Sequence, residues 1–190
     1  MGIRCFIAVP LEQELKEGIA ASVTDLRKSD ADVKWVRAEN LHITLRFLGE
    51  TEEGFLPVLQ EGFSTVASRH GSLMVGLQGI GLFPKKGAPR VVWIDISNYR
   101  ELAGLHEDIE GVLFTMGVKK EDRPFSPHLT IGRVRSPKNA TALFRALQAF
   151  GDRDFGTLRI GSFSLMKSEL RPEGPEYTTL KEFDLKKEER

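Results

Sequence analysis

The spacing of apolar residues predicts an alternation of strands and helices along the chain. Residues 3–9 form a short apolar run rich in β-branched residues, which predicts a buried strand. From Pro10 onward, apolar residues recur every three to four positions, as on one face of a helix that ends near 29–30. Three later stretches repeat this helical spacing. The predicted buried positions of the four helices are Leu11, Leu15, Ile19, Val23 and Leu26; Phe55, Leu59, Phe63 and Val66; Leu102, Leu105, Ile109, Val112 and Met116; and Leu143, Phe144 and Leu147.

Runs of alternating or continuous apolar character predict the remaining strands. They are residues 33–36, 40–48, 72–83, 91–96, 128–131, 155–170 and 177–185, the last two joined by a Pro- and Gly-rich turn. Residues 84–89 are expected to form a basic loop, and the charged end 186–190 is expected to fray.

Local signals predict where strands end and helices begin. Gly49 is expected to end the strand over 40–48, and Thr51 to cap the helix that follows. Asn98 with Glu101 resembles a capping box for the third helix. Pro137 is expected to open the fourth.

The chain contains two nearly identical tetrapeptides, His42-Ile43-Thr44-Leu45 and His128-Leu129-Thr130-Ile131. In a strand, alternate side chains point to opposite faces, so each histidine shares a face with the threonine two residues on. An imidazole and a hydroxyl are costly to bury without partners. Two such pairs facing one cleft would form a polar floor.

These tetrapeptides lie in a weak internal repeat of strand, helix and motif strand. His42 follows the start of the first strand at Ile3 by 39 residues, and His128 follows Arg90 by 38. The repeat predicts one domain over 1–190 with an α+β fold. Two pseudo-symmetric lobes would each carry an antiparallel sheet that lines a central cleft, with helices on the outer face.

Composition narrows the classes of function. The 190 residues include 27 basic and 27 acidic ones, so the net charge is zero. Proteins that bind nucleic acid non-specifically over a large surface usually have a strong positive excess, so this class is not indicated. A local basic cleft is compatible with zero net charge. Cys5 is the single cysteine, which excludes an internal disulfide and a cysteine zinc site. The first residues lack a signal-peptide pattern, and no apolar run reaches the length of a membrane span. We therefore expect a cytoplasmic, monomeric protein with no membrane partner.

Two imidazoles facing one small site can serve as general base and general acid, because each titrates near neutrality. Threonine hydroxyls and a nearby arginine can bind phosphate oxygens and stabilise developing charge. Neither motif contains an Asp or Glu, and the chain lacks an HExxH or Asp-rich cluster, so we expect no metal and no cofactor. The pattern suits in-line displacement at phosphorus.

The chain resembles the two-histidine phosphoesterase superfamily, and within it the LigT-like RNA 2′,3′-cyclic phosphodiesterases, formerly called 2′-5′ RNA ligases. The paired HΦTΦ motifs (Φ, apolar) carry the resemblance together, since either one alone is a weak signal. It spans nearly the whole chain, and the supporting segments are 4–9, 40–50, 90–93, 124–133 and 177–180.

The resemblance implies hydrolysis of a ribonucleoside 2′,3′-cyclic phosphate to the 2′-phosphate, at an RNA end or in a cyclic nucleotide. By analogy His42 protonates the O3′ leaving group and His128 activates water, while Thr44, Thr130 and Arg133 bind the phosphate. Which histidine is the acid and which the base stays open.

Strict alternation places Arg133 on the face opposite His128, so we predict a bulge at Gly132 that returns it to the cleft. Arg46 shares the face of His42 by alternation, which makes substrate contact and simple surface placement equal alternatives. Phe47 then falls on the apolar face and is predicted to be core, with stacking on a base as the minor alternative.

The other histidines and the tryptophans have structural interpretations. His70 is predicted to lie at a helix end and His106 to pack on a helix. Trp35 and Trp93 are predicted to lie in the core or the cleft wall. Two further functions remain open, namely 2′-5′ RNA ligation and non-catalytic binding of RNA ends.

Overall fold

The computed structural model describes residues 2–84, 89–172 and 174–187, and the predicted loop residues 85–88 and tail residues 188–190 lie outside them. These described residues form four α-helices and nine strands, which alternate broadly as the apolar spacing predicts. In chain order they are β1 (Gly2–Pro10), α1 (Gln13–Arg27), β2 (Val33–Trp35), β3 (His42–Glu52), α2 (Leu56–Ala67), β4 (Leu73–Phe83), β5 (Val91–Ser97), α3 (Arg100–Thr115), β6 (His128–Val134), α4 (Ala140–Phe150), β7 (Asp154–Ile160), β8 (Ser162–Arg171) and β9 (Gly174–Asp184).

The strands form an open antiparallel sheet with the order β7-β4-β5-β6-β3-β1-β8-β9, and β2 pairs with β6. Its two halves meet where the two motif strands touch. Strands β3 and β6 pair at one position, Ile43 with Leu129, whereas β1 and β3 pair along their whole common length. The expected α+β fold with two similar halves is thus confirmed, with the halves joined into one continuous sheet.

The order of strands shows the internal repeat. Strands β3 and β6 are central, β1 and β5 lie outside them, and each half continues outward through two more strands. The apolar residues of both motifs are buried at 2% exposure or less: Ile43, Leu45, Leu129 and Ile131. These four residues belong to one hydrophobic core. Because they bury one face of each motif strand, the alternate residues of the motifs face the cleft.

The helices lie away from the cleft. Helices α1 and α4 contact each other and the β4–β7 edge, while α2 packs on α3 and on β9. No residue of the four helices lines the cleft among the residues that the structure describes. Each helix buries most of the apolar positions that its spacing predicts, including Ile19, Phe63, Ile109 and Leu143. Phe144, predicted to be buried, is 52% exposed on α4, so that part of the prediction is wrong.

Several local predictions about element ends are wrong. Strand β3 continues through Gly49, which adopts a positive φ of 73°, and Thr51 is buried inside the strand instead of capping a helix. Helix α3 has no side-chain cap, because Asn98 lies in the left-handed region and Tyr99 takes the cap position. The single strand predicted over 155–170 is two strands that part at Gly161.

Candidate active site

A cleft of about 550 Å³ opens between the two halves of the sheet. This volume falls in the ordinary range for small-ligand sites. Both motif histidines and both motif threonines line it, and no carboxylate does among the described residues. The full lining is Arg4, Cys5, Phe6, Lys34, Trp35, Val36, Arg37, Asn40, His42, Thr44, Phe47, Gly49, Val91, His128, Thr130, Arg133, Ser168, Gly174, Pro175 and Tyr177. The cleft is therefore cationic in a chain of zero net charge.

The two histidines are held in the same way. Nδ1 of His42 lies 2.8 Å from the carbonyl oxygen of Asn40, and Nδ1 of His128 lies 2.8 Å from that of Ser126. A carbonyl oxygen only accepts hydrogen bonds, so each Nδ1 carries a proton and donates it. This hydrogen bond directs each Nε2 away from the backbone, and neither Nε2 has a protein hydrogen-bond partner in the described part of the chain.

Aromatic rings surround His42 on the β1–β9 side. The Phe6 ring centroid lies 5.0 Å from that of His42, and Tyr177 meets the imidazole edge-on at 5.2 Å. Burial lowers the pKa of His42 below its ordinary value, and the positive charge of Arg133 lowers it further, although the hydrogen bond to Asn40 opposes both. Burial also raises the pKa of Tyr177. His42 is therefore mainly neutral near pH 7 in the unliganded protein.

Replacing Tyr177 with alanine is expected to raise the pKa of His42 toward its ordinary value, because water would replace the ring that desolvates the imidazole. A pH titration of the ring C–H resonances by NMR measures this shift. The pKa of His42 is lower in the folded than in the unfolded chain, so protonation of this ring favours the unfolded chain. The free energy of unfolding should therefore decrease as the pH falls from the unfolded-state pKa to the folded-state pKa. Tyr99→Ala, a change of the exposed tyrosine beside α3, is the control. A His42 pKa that stays unchanged in Tyr177→Ala would contradict this account.

A bulge in β6 turns Arg133 into the cleft. Val92 pairs with Gly132, but the next residue of β5, Trp93, pairs with Thr130, so Ile131 is the extra residue. One added residue reverses the alternation beyond it. Arg133 then shares the cleft face with Thr130. The predicted bulge is present, displaced by one residue from Gly132.

A second bulge, at the equivalent place in β3, changes the predicted roles of its neighbours. Ala8 pairs with Thr44 and Ile7 with Arg46, which leaves Leu45 as the extra residue. Phe47, predicted to be core, therefore faces the cleft and is 59% exposed.

The same bulge buries Arg46, so neither alternative weighed for this residue, substrate contact or surface placement, is correct. Arg46 is 8% exposed and lies outside the cleft lining. Its guanidinium pairs with Glu110, donates to Glu121 at 2.8 Å and to the Lys119 carbonyl at 2.6 Å, and also donates to the Phe47 carbonyl at 3.0 Å. A buried charge requires such partners.

Phe47 is a cleft residue that strict alternation missed, and the spacing carried a signal for it. Phe47 follows His42 by five residues, as Arg133 follows His128. The two bulges place both residues in the cleft at equivalent positions of the two motif strands. The cleft thus offers an aromatic face from one half and a guanidinium from the other.

The remaining candidates lie where the sequence predicts, except Trp93, which belongs neither to the hydrophobic core nor to the cleft lining. His70 sits beyond the end of α2 and contacts Asp108 at 2.8 Å, and His106 packs against Phe125. Trp35 lines the cleft, whereas Trp93 stacks on Phe83 behind His128.

Other chemistry at the site is limited. Cys5 is buried at the cleft, and this burial raises the pKa of its thiol, which disfavours a reactive thiolate. In the described ranges, no three or more His, Cys, Asp or Glu residues are grouped so as to hold a metal ion. None of the helices described has the length and apolar character needed to cross a bilayer.

The sequence model of the 2′-5′ RNA ligase superfamily matches residues 15–171. The chain belongs to this superfamily. A relative named RNA 2′,3′-cyclic phosphodiesterase, from Methanothermobacter thermautotrophicus, is 34% identical over 185 residues, which are 97% of this chain and 100% of the relative. The predicted resemblance of this chain to the RNA 2′,3′-cyclic phosphodiesterases is thereby confirmed.

Two solved structures share the fold of this chain. The crystal structure of TT0787 from Thermus thermophilus superimposes with a TM-score of 0.83 at 30% identity, covering 98% of this chain and 100% of that one. Escherichia coli LigT complexed with NADP⁺ gives a TM-score of 0.74 at 26% identity, covering 97% of this chain and 98% of LigT. This member of the 2′-5′ RNA ligase superfamily therefore has a whole-length similarity to both proteins.

Proposed function

We propose that this protein hydrolyses 2′,3′-cyclic phosphates, at RNA ends or in nucleotides, to 2′-phosphates through two-histidine acid–base catalysis. The observation that carries the proposal is that both histidines lie in one cleft with the same hydrogen-bonding arrangement. Both imidazoles line one cationic cleft, and both present an unoccupied Nε2 because each Nδ1 donates to a backbone carbonyl. The relative named RNA 2′,3′-cyclic phosphodiesterase supports the same reaction.

The reaction needs one proton removed and one delivered on opposite sides of phosphorus. In our proposal His128 Nε2 takes a proton from water as the water oxygen bonds to phosphorus. The bond from phosphorus to O3′ breaks, and His42 Nε2 delivers a proton to O3′. The product is a 2′-phosphate with a free 3′-hydroxyl, and the two rings exchange their protons with water before the next turnover.

Burial of His42 bears on which ring is the acid. Burial favours the neutral ring in the unliganded protein, whereas an acid must begin protonated. A phosphate anion in the cleft stabilises the protonated imidazole, so the proposed role of His42 depends on bound substrate to offset desolvation. The pKa values governing kcat, which report the complex, should therefore lie higher for this group than those governing kcat/KM.

The threonines and Arg133 are proposed to hold the phosphate. Thr44 and Thr130 share the cleft face with the histidines, and each lies two residues from its ring. Their hydroxyls can donate to non-bridging oxygens, and the Arg133 guanidinium can stabilise the added charge of the transition state. The exposed ring of Phe47 provides a surface on which a nucleobase can stack.

The decisive experiment is incubation with a 2′,3′-cyclic mononucleotide and with an RNA that ends in a 2′,3′-cyclic phosphate, both in excess chelator. We expect turnover and a product whose phosphate is on O2′, identified by ³¹P NMR. Because the proposed chemistry uses side chains alone, chelator should leave the rate unchanged. A rate recovered solely by adding a divalent metal, or a 3′-phosphate product, would contradict the proposal.

The same assay separates the alternative functions. With an added 5′-hydroxyl RNA, joining of the two strands through a 2′-5′ linkage would indicate ligation. Binding of the cyclic end without turnover would indicate a non-catalytic module. The intact pair of HΦTΦ motifs in one cleft favours hydrolysis over that module.

A further inference from the structure

The two motif strands of the proposed active site share one direct backbone pair, and β2, which precedes β3 in the chain, pairs with β6 at three further positions. Strands β3 and β6, which carry His42 and His128, pair at the single position Ile43–Leu129 in the ranges the structure describes. One bridge restrains the angle between two strands weakly, whereas in-line transfer needs both rings placed around one phosphorus. A rate can fall about 100-fold for a misplacement of about 1 Å. The β2–β6 pairs hold the segment before His42, and a side-chain contact beyond His42 would restrain the motif strands at a second point.

Arg46 makes that contact. It lies four residues after His42 on β3, and the Leu45 bulge turns it away from the cleft into the interior. Apart from the neighbouring Phe47 carbonyl, its partners all belong to the half that carries His128. They are the Glu110 carboxylate on α3, the Glu121 carboxylate and the Lys119 carbonyl.

These partners belong to the segment that leads into the second motif. Residues 119–127 join α3 to β6 and contain no regular secondary structure. The Glu121 backbone N–H donates to Glu110 at 3.1 Å, so Arg46 and Glu110 hold the start of this segment together. Near its end, Phe125 stacks on His106 of α3 at 4.0 Å, and the Ser126 carbonyl accepts the Nδ1 proton of His128.

We propose that Arg46 is a positioning residue that sets the placement of His128 relative to His42. This inference rests on the proposed function for its kinetic test. Arg46 lies outside the lining of the cleft that contains both histidines, and it acts by linking β3 to the segment that holds His128. Its planar guanidinium suits this role, because it donates in three directions at once.

Two variants test the role. Arg46→Lys keeps the positive charge but removes the planar guanidinium and its several hydrogen-bond donors. We expect kcat to fall about 10- to 100-fold, with KM changed less than about threefold. Glu121→Gln weakens one link and leaves the buried Arg46–Glu110 pair intact, so kcat should fall by a smaller factor. Asp122→Asn is the matched control, since this neighbouring carboxylate is 82% exposed and pairs with the Lys119 side chain. Its kcat should equal that of the wild type.

Two further measurements separate positioning from folding. Urea denaturation gives the folded fraction of each variant, and a kcat loss that merely follows this fraction would overturn the inference. So would a folded Arg46→Lys with kcat within twofold of the wild type. If Arg46→Lys does not fold, Glu121→Gln decides: a kcat equal to that of Asp122→Asn overturns the inference, and a lower one supports it.

A readout that needs no turnover distinguishes failure of this inference from failure of the proposed function. Inorganic phosphate is titrated while the ring C–H resonances of His42 and His128 are followed by NMR. In the wild type both rings should shift along one binding curve. In Arg46→Lys the shift of at least one ring should fall by half or more, and two unchanged shifts would overturn the inference even if no cyclic phosphate is hydrolysed.

Discussion

Replacing His42 or His128 with alanine should abolish measurable turnover of a 2′,3′-cyclic nucleotide while the protein stays folded. Each ring supplies one of the two proton transfers, and loss of a general acid or base costs about 10²- to 10⁴-fold in rate. Both imidazoles line the cleft, and the strands that carry them are anchored by buried neighbours such as Ile43 and Leu129. Steady-state kinetics and circular dichroism of each variant are the measurements.

The double variant sharpens this prediction. Groups that act as one unit lose little more when both are removed than when one is. The double alanine variant should therefore be only slightly less active than the less active of the two single variants. His70→Ala is the control, since His70 pairs with Asp108 at the end of α2, outside the cleft. Near wild-type rates in both single motif variants would refute two-histidine catalysis.

Replacing Arg133 with methionine should lower kcat/KM about 100- to 1,000-fold, the usual loss when a donor to developing negative charge is removed. Arg133 reaches the cleft through the Ile131 bulge, and its charge is close enough to lower the pKa of His42. Lysine at this position should restore part of the rate, because it keeps the charge without the planar fork. Kinetics with a cyclic mononucleotide measure both variants.

A neighbouring arginine provides the comparison. Arg135 is exposed, lies beyond the end of β6 and does not line the cleft. Arg135→Met should therefore leave kcat/KM unchanged. Equal losses in the two methionine variants would indicate a general effect of positive charge instead of a phosphate contact at Arg133.

The sequence was sufficient for the parts of the fold that depend on apolar spacing. The periodic runs predicted all four helices, and the duplicated motif predicted both central strands and their cleft face. Helix starts were less predictable. Thr51 and Asn98 are residue types that often cap helices, but Thr51 lies within strand β3 and Asn98 adopts a left-handed conformation. A cap depends on the path of the preceding strand, and β3 runs three residues beyond Gly49.

The candidate site was predictable up to the first bulge in each motif strand. His42, Thr44, His128 and Thr130 precede the bulges and occupy the face that alternation gives them. Beyond Leu45, alternation assigns Arg46 and Phe47 to the wrong faces, because a bulge arises from pairing with a distant strand. Arg133 was placed on the cleft face correctly only because the family resemblance gave it a role there, which required a bulge in the strand.

The tie through Arg46 was also beyond sequence reasoning. Its acidic partners Glu110 and Glu121 lie more than 60 residues further along the chain, in a helix and a loop whose composition is ordinary for a protein surface. Only the fold brings these charges together. A buried arginine with two carboxylates is therefore a product of tertiary structure that no local pattern signals.

The bulge in β3 makes an added residue more harmful to this strand than most substitutions. Because Thr44 pairs with Ala8 and Arg46 with Ile7, deleting Leu45 would remove the bulge and leave Arg46 in the interior and Phe47 in the cleft. One residue inserted between Leu45 and Arg46, with the bulge retained, would instead exchange the faces of the later β3 residues and carry Arg46 into the cleft. In a collection of natural variants of this protein, we therefore expect substitutions between His42 and Phe47 to occur and single-residue insertions there to be absent.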